Sequence, residues 1–192
     1  GQGQIDMLYS ATAYFAGVVP EFGILGLNVV EWTYDNQIKL RGAILEDLGK
    51  AVEERSNTKA LALQHPLPMM VFTSKKMITK VADMKGLKIR TAGGWDAVEL
   101  EALGAAATQI PGGEIYTAGA KGIIDGASRP INAVVDWKEY EVWKYMVTTT
   151  LCFNPGGNFL MNLDRFNKLP AGPKKMLLDI VAVWDLDMLK QY

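Results

Sequence analysis

An arginine sits near the end of the short apolar run Leu87-Lys-Ile-Arg90-Thr91, and Gly93-Gly94 follows before a helical stretch opens at Trp95. In the middle of a strand covered on both faces, an unpaired guanidinium would cost several kcal/mol. At the C-terminal end of such a strand it is tolerable, and open α/β sheets bind their ligands there. The two glycines let the backbone turn closely, and the N–H groups opening the next helix favour anions. Arg90, Gly93 and the helix start thus read as a carboxylate or phosphate cradle. The competing reading is a strand-end arginine paired with a surface Asp or Glu.

Other residues offer less. Ser128-Arg129-Pro130 follows a predicted strand ending at Asp125, so Arg129 either lies where ligands collect or is a solvated loop arginine. Glu114, in Gly112-Gly113-Glu114-Ile-Tyr116, suits a helix start whatever its function. Trp32, Trp95 and Phe153 lie near glycine-rich turns and either wall a pocket or fill a core. Cys152, in Thr-Leu-Cys-Phe, reads as a small buried hydrophobe. His65, next to Pro66, has no partner at metal-ligand spacing. One Cys and one His exclude an internal disulfide and a multi-cysteine zinc site. There is no GxGxxG, Walker, Gly-x-Ser-x-Gly or His-Glu-x-x-His sequence, so enzyme chemistry has no foothold.

The elements that must hold these residues are legible from periodicity. Ile44, Leu45, Leu48 and Val52 repeat at helical spacing, and Lys59–Leu63 and Met69–Thr73 read as strands. Leu87–Thr91 is a strand followed by a helix with Trp95, Val98, Ala102 and Leu103 on one face and Gly104 as its stop. Thr108–Ile110, a helix over Glu114–Lys121 and a strand at Ile123–Asp125 repeat the unit. Such alternation predicts βαβ units and a parallel sheet, an α/β fold. Thr148–Phe153 and Asn158–Asn162 are strands, and the tail from Pro173 is a helix with Met176, Leu177, Ile180, Val181, Trp184 and Met188 on one face. Gly3-Gln-Ile-Asp6 and Gly122-Ile-Ile-Asp125 share one form, as two similar lobes would. At 192 residues, 49% apolar, with 20 basic against 21 acidic side chains, the chain is globular. No global field draws it to nucleic acid or an anionic membrane. No apolar stretch approaches a membrane span, no signal peptide is visible, and a start without Met suggests a fragment or processed product.

Val81-Ala-Asp-Met-Lys-Gly-Leu-Lys-Ile-Arg90, Leu103-Gly104-Ala105, Glu114-Ile-Tyr116 and Gly122-Ile-Ile-Asp-Gly126 occur in the order typical of one family. They resemble the DctP-type solute-binding proteins of tripartite ATP-independent periplasmic (TRAP) transporters. Asn167-Lys-Leu-Pro170 fits as well, and the resemblance covers nearly the whole chain. It implies a two-lobed fold of the type II periplasmic-binding-protein kind, with a cleft between lobes. Residues 1–67 with 156–192 would form lobe I, lacking its N-terminal part, and residues 68–155 lobe II. The crossing segments near residues 66–71 and 155–158 would be hinges.

The implied function is a periplasmic receptor, not an enzyme, that captures a small organic acid and hands it to the TRAP membrane subunits. Nucleic acid and direct membrane insertion have no place in it. The alternatives are the ligand-sensing effector domain of a regulator and an α/β enzyme acting on small acids. By the resemblance Arg90 carries the substrate carboxylate, and Ser128, Arg129, Gly93, Trp95 and Phe153 complete the substrate-binding set. The Gly-Gly-Glu-Ile-Tyr form is closest to a subgroup that binds 2-oxo acids or lactate with a bound cation. That subgroup has an acidic residue and Trp where this chain has Ser128-Arg129, and other members carry Glu-Asn-Pro there. A guanidinium repels a metal ion. The expectation is therefore a site with no cofactor or metal, where Arg129 meets a second carboxylate or a hydroxyl, or replaces the cation's charge. In the alternative, Arg129 points to solvent and backbone oxygens with the substrate hold a cation.

Overall fold

The computed structural model describes residues 4–15, 17–26, 34–63, 67–154 and 157–190. In chain order these form β1 (Met7–Ala11), α1 (Tyr34–Ser56), β2 (Thr58–Leu63), β3 (Leu67–Thr73), β4 (Lys88–Thr91), α2 (Trp95–Ala102), β5 (Ala106–Gln109) and α3 (Ile115–Ala120). Then come β6 (Gly126–Arg129), α4 (Ile131–Asp136), β7 (Tyr145–Met146), β8 (Cys152–Asn154), β9 (Gly157–Asn162), α5 (Leu163–Lys168) and α6 (Ala171–Lys190). Two compact units result. One gathers the described residues of Gly1–Leu25, Val29–Pro66 and Pro155–Tyr192, and the other is built on Leu67–Asn154.

The first unit holds an antiparallel sheet in the order β1-β9-β2. Alternation along β9 sends Leu160 and Phe159 to opposite faces. Leu160 packs with Leu48 and Val52, one helical turn apart on α1, and with Val19 and Phe22. On the other face Phe159 meets Tyr9 and Trp184 at centroid distances of 5.1 and 4.8 Å. Asn57 ends α1 in the left-handed region at φ 50°, its N–H donating to Glu53 O. The apolar face predicted for α6 is only half used: Val181 is buried and Trp184 partly so, but Met176 and Ile180 are exposed.

In the second unit the sheet order is β5-β4-β6-β3-β7, with β8 also paired to β3. β4 runs parallel to β5 and β6, as the intervening helices α2 and α3 require. β3 is antiparallel to β6, β7 and β8, so the sheet is mixed rather than parallel. Between β3 and β4 the chain makes only the 3-10 turn Val81–Met84, with no crossover helix to enforce a parallel return. One face packs Ile89, Val71, Met84 and Leu100; the other packs Ala127, Phe72, Ile115 and Trp143.

Three local expectations shift. The strand predicted at Ile123–Asp125 begins instead at Gly126, because Asp125 docks on Lys88: its N–H donates to Lys88 O at 2.8 Å and its carboxylate accepts from Lys88 N at 3.0 Å. Of the run Thr148–Phe153, only residues from Cys152 onward pair. The buried side of α2 is Asp96 and Leu100, while Trp95 and Val98 are exposed. Residues 64–66, with His65, lie outside the described residues, as does Trp32.

Candidate ligand site

Arg90 is 2% exposed, the largest side chain so fully buried among the described residues. It is the third residue of β4, and its register partner on β6 is Ala127. Its side chain therefore leaves the sheet on the Ala127 face, toward the C-terminal ends of three adjacent parallel strands. Nε donates to Ile110 O, just past β5, at 2.8 Å, and Nη1 donates to Ser128 O at 3.4 Å. Two backbone carbonyls on neighbouring strands thus aim one planar fork. This is the strand-end guanidinium that the Lys-Ile-Arg run predicted.

Arg129 closes β6, two residues beyond Ala127, so alternation returns it to the face that bears Arg90. It belongs to the strand rather than to a loop after it. Its charge already has a partner. Nη2 donates to Glu139 Oε1 at 2.7 Å and Nε to Oε2 at 3.3 Å, and the Glu139 side chain is 0% exposed. Trp143 Nε1 donates to the same Oε2 at 3.2 Å, and the guanidinium lies 6.0 Å from the Trp137 ring. The expected lack of a cation rested on an uncompensated charge at Arg129; Glu139 supplies the compensation.

Ser128 falls between these two arginines in sequence and on the opposite face in space, opposite Val71 of β3. Its hydroxyl is buried with no hydrogen-bond partner among the described residues. The structure therefore joins Ser128 to Arg90 through its carbonyl, while the hydroxyl lies on the other face of the sheet. Gly93 takes φ +100°, and its N–H donates to Thr91 Oγ1 at 2.9 Å. Thr91 Oγ1 in turn donates to Asp96 Oδ2 at 2.6 Å. The amide of Gly93 is spent within the turn, and a carboxylate already occupies the positive end of α2. Together these contacts seat the start of α2 against β4. Trp95, at the start of α2, is 43% exposed. Phe153 sits in β8 opposite Pro68, and its side chain lies outside the described residues.

Asp96 gathers one more group. Cys152 Sγ donates to Asp96 Oδ1 at 3.7 Å. Burial, then the Asp96 and Glu99 carboxylates, push the Cys152 thiol far above its ordinary range. Burial and Asp96 likewise raise Glu99. A thiol so placed is inert. What these groups offer chemically is a buried cation, Arg90, held in a fixed orientation.

Glu139, Ile110 and Asp96 were not singled out from the sequence. Glu139-Tyr-Glu-Val-Trp143 does carry a readable i, i+4 spacing that brings Glu139 to the Trp143 indole. Nothing in the sequence ties Glu139 to an arginine ten residues earlier.

Residues 1–192 match the family model for bacterial extracellular solute-binding protein, family 7, DctP. The chain belongs to the DctP family. Among curated proteins, this DctP-family chain is 32% identical over 155 residues to the 2,3-diketo-L-gulonate-binding periplasmic protein YiaO of Escherichia coli, covering 80% of the chain and 47% of YiaO. A Bordetella pertussis extracytoplasmic solute receptor binding pyroglutamic acid superposes with TM-score 0.85 at 26% identity, over 98% of this chain and 62% of that one. A TRAP periplasmic solute-binding protein from Xanthobacter autotrophicus, with bound β-D-galacturonate, gives TM-score 0.87 at 20% identity, covering 98% and 63%. The fold is the two-lobed periplasmic-binding fold of these proteins. The DctP-family chain spans about half the length of the curated relatives it matches. No described helix is long and apolar enough to cross a membrane.

Proposed function

We propose that the protein is the periplasmic solute receptor of a TRAP transporter, capturing a small organic acid and delivering it to the membrane subunits without chemical turnover. Arg90 holds the ligand carboxylate. One observation carries this reading: a fully buried guanidinium at the C-terminal end of a parallel strand, oriented by the carbonyls of Ile110 and Ser128. A planar fork makes two parallel charge-assisted bonds to a carboxylate, which the point charge of Lys cannot reproduce. The ligands named for relatives, galacturonate, pyroglutamic acid and diketogulonate, support the reading, because each is an organic acid.

The test is calorimetry on the full-length protein with D-galacturonate, L-pyroglutamate and 2,3-diketo-L-gulonate. Arg90→Ala, with its fold checked by circular dichroism, is expected to weaken binding by roughly 30-fold or more, the usual loss when a buried charge pair is broken. Affinity within about threefold of the parent protein would overturn the assignment.

A further inference from the structure

We propose that Glu139 sets the charge class of the ligand, restricting the site to acids with one carboxylate and further hydroxyl or keto oxygens. The inference rests on the receptor reading and goes beyond it, naming a residue that touches no ligand and acts through Arg129.

The argument starts from the two arginines. Strand alternation places Arg90 and Arg129 on one face of the sheet, and Arg90 Nη1 reaches the carbonyl of Ser128, the residue bonded to Arg129. Two cations so close would suit a ligand with two negative ends. Arg129, however, is not available as a net charge. Glu139 engages the Nε–Nη2 edge of its guanidinium in a bidentate pair, and Glu139 itself is 0% exposed. Water cannot screen a pair this deep, so the carboxylate cancels the guanidinium nearly in full.

The pair is also fixed in position. Trp143 Nε1 donates to Glu139 Oε2, and the Trp143 ring is wedged beside Gly119, where an added Cβ would come within 2.6 Å of it. Glu139 therefore cannot swing away to release Arg129 without displacing a packed indole. A second ligand carboxylate would have to compete with an internal one that has already paid its desolvation. What remains is Nη1 of Arg129, which makes no hydrogen bond among the described residues. A donor within a neutralised pair suits a neutral acceptor, such as a hydroxyl or keto oxygen, far better than it suits an anion.

The experiment pairs each monocarboxylate with a close dicarboxylate on the full-length protein: D-galacturonate with galactarate, and L-pyroglutamate with 2-oxoglutarate, a dicarboxylate of the same carbon count. The parent protein is expected to bind the better monocarboxylate at least about tenfold more tightly than its dicarboxylate counterpart. In Glu139→Gln the shape of the side chain stays but the charge is gone, so the ratio should move toward the dicarboxylate by about tenfold or more. A merely structural role for Glu139 would lower both affinities together and leave the ratio alone. Should Glu139→Gln not fold, the double variant R129M/E139M removes both charges at once; it should bind both acids more weakly, because the Arg129 donor is lost, but keep the monocarboxylate preference, because the site's net charge is unchanged.

A parent protein that binds dicarboxylates as tightly as monocarboxylates overturns the proposal. So does an unchanged ratio in Glu139→Gln, or parity in the double variant. A parent protein that binds no acid of either kind removes the receptor reading itself, and this inference with it.

Discussion

The two units bury different kinds of polarity. Among the described residues, the first unit buries Thr12, Asn158 and Asn162, all neutral. Asn158 Nδ2 donates to Thr12 Oγ1 at 2.9 Å, and Asn162 caps α5 by accepting from Arg165 N. Its ion pairs are exposed, as in Arg165–Asp6, or partly so, as in Lys59–Glu53. The second unit buries Arg90, Asp96 and Glu139. Taking charges out of water stabilises nothing by itself and is tolerated only with partners in place. Apolar residues would hold a sheet of this size as well, so the concentration of buried charge in one unit is what the proposed receptor role of Arg90 calls for.

The sharpest way to break that comparison is to delete one buried charge. Glu139→Ala leaves Arg129 without its counter-ion in a nearly dry site, and unfolding of the full-length protein in denaturant should show a loss of about 3–5 kcal/mol. Asp6→Asn, which opens the exposed pair to Arg165, should show a small fraction of that loss. Equal losses would mean that burial does not distinguish the two units.

A steric contrast gives the next largest effect. Gly126 and Gly157 each open a strand, one in each unit. A Cβ on Gly126 would lie 2.3 Å from Phe72 O, which is backbone and cannot retreat, whereas a Cβ on Gly157 would meet the tip of the Tyr9 ring at 2.4 Å. Tyr9 is half exposed and can move outward. Gly126→Ala should cost roughly 2–3 kcal/mol and Gly157→Ala about 1 kcal/mol or less, measured by the same denaturation. The reverse order would show the mixed sheet to be the more adaptable one.

The smallest effect concerns Cys152. Its thiol is raised by burial and by two carboxylates, so native protein at pH 8 should not react with a chromogenic disulfide reagent, while denatured protein reacts fully. The unfolded thiol ionises near pH ~8.5 and the native one well above it. Over that window the unfolded chain sheds a proton that the native state keeps, so stability falls as pH rises past ~8.5. Cys152→Ala should flatten that alkaline slope. Rapid labelling of native protein would contradict the burial of the thiol.

Much of this was legible from local pattern. Arg90 announced itself because an arginine in a short apolar strand has few places to go, and its position in β4 follows from Leu87–Thr91 alone. The shared Gly-x-Ile-Asp form has a physical counterpart: Asp6 and Asp125 each stand just ahead of β1 and β6. What stayed hidden depended on register. The shift of β6 by a few residues turned Ser128 away from the Arg90 face and brought Arg129 into the strand. The Glu139 counter-ion followed from how the chain after α4 folds back, which no spacing encodes. Likewise the apolar stripe of α2 reads inward by hydropathy, yet Thr91 and Cys152 draw Asp96 inside and turn Trp95 and Val98 outward.

The order of strands also bears on synthesis. In the sheet β1-β9-β2 the middle strand is the last of the three along the chain, and neither outer strand pairs with the other. A polypeptide leaving a ribosome or an export channel N-terminus first cannot form a single ladder of that sheet until residue 157 and beyond have emerged. By then all of Leu67–Asn154 is already outside. Vectorial synthesis therefore delivers the complete segment that carries Arg90 and Glu139 before it delivers the strand that lets the start of the chain fold.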